Sequence, residues 1–104
     1  MGAERRQAPR YPASRVSSCN IIRLPETEPM PAILKDISVG GIGLICPGDV
    51  EKGTFLAVTL INSKSDSKTL RALVVHSSMI TRESWMVGCV LSQKLTPEEL
   101  DAFK

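Results

Sequence analysis

Apolar residues along the chain fall into six short runs, separated by clusters of Pro, Gly, Asp, Glu and Ser. Residues 15–24 open the series, with Val16, Ile22 and Leu24 on one parity. In residues 30–37, Ala32, Leu34 and Asp36 share one parity, and Ile33, Lys35 and Ile37 the other. Residues 42–46 form a short apolar third run. Residues 54–61 are apolar on both parities, which predicts a strand buried on both faces. Residues 69–77 and 84–92 complete the set, joined by a turn at Thr81-Arg82-Glu83. Six strands at regular spacing, with no helical periodicity between them, predict an antiparallel barrel or sandwich. A closed barrel would leave no exposed edge. The one helix signal lies at the end. Thr96-Pro97-Glu98-Glu99 is a capping box, with Leu95 and Leu100 placed to staple it and Leu100 and Phe103 on one face. A helix of about two turns is marginal alone and must dock on the barrel.

Residues 1–14 break the pattern. They are polar, carry Arg5, Arg6 and Arg10, and contain Pro9 and Pro12, which exclude a helix. They read as a flexible arginine-rich arm ahead of a single domain over residues 15–104. A length of 104 residues suits one small domain. Only 4% of residues are aromatic, so the core must come from Val, Ile, Leu and Met. The formal net charge of +2 does not suggest bulk binding of a nucleic acid polymer. Cys19, Cys46 and Cys89 are odd in number and widely spaced, and His76 is the sole histidine. That composition argues against a zinc site or a disulfide scaffold. The cysteines read as small buried hydrophobes in a reducing, cytoplasmic setting. No secretory leader and no apolar run of membrane-spanning length is visible.

The stretch Asp36-Ile37-Ser38-Val39-Gly40-Gly41 separates the second and third apolar runs. On a strand, Asp36 and Ser38 share a face. The glycines permit either a turn at positive φ or a close approach to the backbone. Two readings are open: a hairpin turn in which Asp36 and Ser38 satisfy local amides, or a polar surface offering a carboxylate, a hydroxyl and bare backbone to a ligand.

Catalysis finds no support. His76 lies in an apolar strand and reads as a partly buried structural residue. Gly40-Gly41-Ile42-Gly43 lacks both the lysine and the following helix of a phosphate-binding loop. No pair of carboxylates is spaced for calcium or glycoside chemistry. What remains is an arginine arm and a polar turn. Arginine binds phosphate and the O6/N7 edge of guanine bidentately, and a carboxylate accepts from guanine N1–H and N2–H₂. Nucleic-acid binding by an OB-like barrel is a further reading, weakened by the shortage of aromatic stacking platforms.

Arg6-Gln7-Ala8-Pro9-Arg10, followed by Asp36-Ile37-Ser38-Val39-Gly40-Gly41, resembles the paired R-x-x-x-R and D/N-x-S-x-x-G motifs of the PilZ domain. Gly41-Ile42-Gly43-Leu44 and Trp85-Met86-Val87-Gly88-Cys89-Val90-Leu91 extend the likeness, as does the Thr-Pro-Glu-Glu helix start. Leu91 departs from it, standing where that family commonly has Phe. The resemblance implies an all-β fold: a six-stranded antiparallel split barrel with a short C-terminal α-helix. It implies a non-catalytic receptor for the bacterial second messenger cyclic di-GMP, with no cofactor or metal. In that role Arg6 and Arg10 would hold phosphate and the guanine Hoogsteen edge, with Asp36, Ser38, Gly40 and Gly41 lining the pocket floor. Arg5, just before the first motif arginine, implies a stacked ligand dimer. The expected partners are cyclic di-GMP and a downstream protein effector, for a monomer or weak homodimer. The alternative within the family is a protein–protein adaptor that binds no nucleotide, although such members typically lack these arginines.

Overall fold

The computed structural model describes residues 8–104. Eight strands and one helix follow in order: β1 Tyr11–Pro12, β2 Val16–Arg23, β3 Pro29–Pro31, β4 Ile33–Ile37, β5 Gly41–Cys46, β6 Phe55–Asn62, β7 Ser67–Thr81, β8 Ser84–Leu91 and α1 Pro97–Phe103. All pairings are antiparallel, in the order β1-β4-β5-β8-β7-β6-β2-β3.

The six expected strands are recovered with one addition and one break. The addition is β1, which pairs Tyr11 with Ile37 and Pro12 with Asp36. The break is at Ala32, where a single extended segment divides into β3 and β4. Its first half pairs with β2 and its second with β5. Ala32 N–H still donates to Cys19 O at 3.0 Å, so the ladder runs on through the bend. One segment therefore joins the two ends of the sheet and closes a ring of β2, β3/β4, β5, β8, β7 and β6.

Alternation places the core inside that ring. Ile21, Ile37, Ile42, Leu44, Leu56, Val58, Leu60, Val74 and Val87 are all fully buried. Two expectations need correction. Residues of β6 alternate rather than being buried on both faces: Leu56, Val58 and Leu60 point in, while Phe55 is 47% exposed. A closed barrel has a solvent side, so an apolar outward residue is simply exposed. In β2 the inward residues are Cys19 and Ile21, not the Val16–Ile22–Leu24 parity, and the register shifts between Val16 and Ser18. A bulge adds one residue and reverses the faces beyond it.

The capping box forms as its spacing predicts. Glu99 N–H donates to Thr96 Oγ1 at 3.1 Å, and Thr96 N–H to Glu99 Oε1 at 2.9 Å. The hydrogen bond from Lys68, and then that from the Thr96 backbone, hold the Glu99 carboxyl below its usual range. Leu95 and Phe103 are buried, and Asn62 Nδ2 donates to Ala102 O at 3.0 Å, which docks α1 on the end of β6.

Cys19, Cys46 and Cys89 are free and buried. Burial pushes their thiols up to about 12, about 11 and about 12 respectively. In the unfolded chain they titrate near 8.5. A raised folded-state value means that this contribution to stability is intact below the unfolded value and is lost as pH climbs towards the folded ones. Urea unfolding midpoints are expected to fall between pH 8.5 and 11, and less steeply in a triple Cys→Ala variant compared with its own neutral-pH midpoint. Equal slopes in the two proteins would remove the thiols as the cause.

Candidate ligand-binding site

The segment around Asp36 shows how a local irregularity turns a sequence pattern into a surface. Strict alternation would put Asp36 on the same face as Leu34, which is buried. Instead Leu34 pairs with Leu44 and Asp36 with Gly43, a register shift that leaves Lys35 as the extra residue. The bulge returns Ile37 to the core and turns Asp36 out onto the barrel wall.

There the Asp36 carboxylate meets the arm. Arg10 Nη1 donates to Asp36 Oδ1 at 2.6 Å, with the two side chains 43% and 25% exposed. The pairing of β1 with β4 sets this up, because it carries Arg10 alongside the end of β4. Among the described residues nothing bonds Asp36 Oδ2. A pair this exposed contributes at most about 1 kcal/mol to stability. Its significance is placement.

Ser38 does something different. It is 5% exposed, its Oγ accepts from Gly41 N–H at 3.1 Å, and its own N–H donates to Gly41 O at 2.9 Å. Its hydroxyl closes the hairpin turn, so the turn reading holds for Ser38 while Asp36 faces outward. The turn is tied down from outside: Leu91 N–H donates to Gly40 O at 2.9 Å and Leu95 N–H to Val39 O at 2.8 Å.

Close approach, not positive φ, accounts for the key glycines. Positive φ among the described glycines occurs only at Gly53. A Cβ on Gly41 would sit 3.0 Å from Cys89 O and 3.4 Å from Arg10 Nη2, so a side chain there would crowd the guanidinium. A Cβ on Gly43 would lie 2.7 Å from Asp36 Oδ1. Gly40 has open space where its Cβ would be. Gly43 is thus a site residue that the sequence reading did not single out. It lies two residues past the motif, and only the cross-strand pairing with Asp36 gives it a role. Arg10, Asp36, Ser38 and Gly41 come together, whereas Arg5 and Arg6 lie outside the described residues.

The expected partly buried histidine is corrected. His76 is exposed on the outer wall, just past a register shift between Val74 and His76, with Nε2 3.3 Å from Ser78 Oγ. No described group of three or more His, Cys, Asp or Glu residues is placed to hold a metal ion. No described helix is long and apolar enough to cross a membrane.

The model of the PilZ domain matches residues 4–104. The chain belongs to the PilZ domain family. Its fold agrees with two solved structures. One is the Bacillus subtilis inhibitor of motility MotI/DgrA, at a TM-score of 0.70 and 17% identity over 94% of this chain. The other is the K. pneumonia MrkH–c-di-GMP complex, at 0.66 and 16% over 93%. In each case this PilZ chain corresponds to 47% of the solved chain's length. No curated protein sequence is a significant match.

Proposed function

We propose that this PilZ domain is a non-catalytic, cytoplasmic receptor for cyclic di-GMP. The observation that carries the reading is the Arg10–Asp36 pair at 2.6 Å, which sets one residue of each motif side by side on the outer wall beside Gly41. A guanidinium and a carboxylate with an unoccupied oxygen offer guanine both a donor fork and an acceptor. Arg5, Arg6 and Arg10 hold the phosphates and the Hoogsteen edge. Asp36 accepts from the Watson–Crick edge. Ser38 and Gly40 keep the turn in shape, and Gly41 leaves room for the guanidinium.

Binding draws the arm ahead of β1, residues 4–10, over the wall, because charge-assisted bonds to phosphate offset the entropy lost in ordering it. The altered surface is what a downstream protein effector reads, an order–disorder mode of switching. The complex of the MrkH protein with c-di-GMP, similar in fold, supports the choice of ligand.

Calorimetry with cyclic di-GMP is expected to show binding at micromolar ligand, and amide exchange ahead of β1, at residues 4–10, is expected to slow when ligand is added. Absence of heat would favour the nucleotide-free adaptor role. Binding without a change in exchange would retain the receptor and remove the arm switch.

A further inference from the structure

β7 runs past the barrel. Its first part pairs with β6 as far as Leu73, and the turn before β6 carries that ladder one residue further. There Gly53 N–H donates to Val74 O at 2.7 Å and Val74 N–H to Thr54 O at 2.9 Å. From Val75 to Thr81, β8 is the only strand beside β7 among the described residues. The far side of this stretch is an open edge. Register shifts at Val75 and Ile80 bracket it, so His76–Met79 runs as regular strand between two bulges. Pairing on β8 decides which groups face the opening. Leu91 N–H donates to Gly40 O and Ser92 N–H to Arg71 O, so odd residues of β8 bond towards β5 and even ones towards β7. Ser77 faces Val87 and Met79 faces Trp85, both odd. The N–H and C=O of Ser77 and Met79 therefore point away from β8, into the opening.

Strand edges are commonly guarded by Lys or Pro as well as by bulges. Residues 72–81 hold no Asp, Glu, Lys, Arg or Pro. Met79 is 62% and Ile80 51% exposed, and Val75 is exposed on the same stretch. Charge gathers instead at its two ends. Arg82 and Glu83 form the hairpin tip, while Glu51 and Lys52 lie in the turn that leads to Gly53 and Val74. All four are exposed, and none has an ion-pair partner among the described residues. Asp49, whose Oδ1 accepts from Ser77 Oγ at 2.9 Å, adds a further carboxylate at the second end.

We infer that this edge pairs with the same edge of a second copy of the chain, antiparallel and about a two-fold axis at Ser78. That axis sets Ser77 opposite the partner's Met79, and Met79 opposite the partner's Ser77. These are the residues whose backbone groups face the opening, so each pair exchanges N–H···O=C bonds. The same axis sets Arg82 opposite the partner's Val74, which brings each hairpin tip onto the other copy's turn at residues 51–53. Arg82 meets the partner's Glu51 and Glu83 the partner's Lys52, and symmetry forms every contact twice. A strand of another protein would have to bring matching charges at both ends, whereas a second copy carries them at the required separation. The contact is small, so association falls at the weak end of protein interfaces. The inference is independent of the receptor reading.

The test uses the full chain without nucleotide, in sedimentation velocity from about 10 μM to about 1 mM, the range in which weak interfaces populate. Wild type is expected to shift with concentration from the 11.3 kDa chain mass towards twice that mass. Met79→Lys puts a charge on the edge at an exposed position, twice per dimer. It is expected to weaken association about tenfold or more, with the thermal midpoint within about 3 °C of wild type. Glu51→Arg and Arg82→Glu are each expected to weaken association, and the two together to restore it. A wild type that stays at the chain mass throughout would overturn the inference, as would a dimer that Met79→Lys leaves unchanged. A double variant no tighter than the single ones would overturn the axis at Ser78.

Discussion

Gly43→Ala is expected to weaken cyclic di-GMP binding at least tenfold. The added carbon would lie 2.7 Å from Asp36 Oδ1, a separation that no real pair of these atoms tolerates. The carboxylate must swing away, which breaks its contact with Arg10 and removes the acceptor offered to guanine. Hydrogen bonds to charged groups contribute about 1.5–3 kcal/mol, which sets the tenfold floor. The backbone at Gly43 does not require a positive φ, so the fold should survive at a cost of about 1–3 kcal/mol for overpacking. Titration calorimetry and urea unfolding on the same preparation separate the two effects. Unchanged affinity would mean that the Asp36 carboxylate does not touch the ligand.

Arg10→Ala provides the complementary case, with a large loss of binding and almost none of stability. Its ion pair with Asp36 is exposed enough that removal should change the unfolding free energy by less than about 1 kcal/mol. Loss of a bidentate contact to guanine or phosphate should cost about 1–3 kcal/mol of binding, a fall of roughly five- to more than a hundredfold in affinity. Arg10→Lys keeps the charge but not the planar fork, and should recover only part of the loss. Full recovery by lysine would mean that charge alone matters at this position.

Much of this arrangement could be read from residue types, and the remainder depended on strand pairing. The capping box, the buried cysteines and the nearness of Arg10 to Asp36 followed from local chemistry or from two motifs in order. The outward turn of Asp36 did not, because it depends on a bulge at Lys35 that alternation cannot reveal. For the same reason alternation puts Ile22 on the face of Val16 in β2, whereas Val16 packs against the core and the bulge after it turns Ile22 outward. Phe55 and His76 face outward although their sequence neighbours are apolar, because a ring of strands has an outer wall that some residues of an apolar run must face. Gly43 was visible as a letter, but its partner across the sheet was not.

The closure of the ring through the bend at Ala32 also bears on when the site comes into being. The arm, β4, β5 and β8 come from distant parts of the chain: Arg10 is 26 residues from Asp36, and Gly41 faces Val90 near the other end. Such long-range pairings fold slowly, since loop closure must precede any contact that rewards it. A chain emerging during synthesis cannot assemble the pocket until β8 is available. A ligand bound there would recognise the finished barrel alone and raise its melting temperature by mass action, making thermal shift a direct gauge of occupancy.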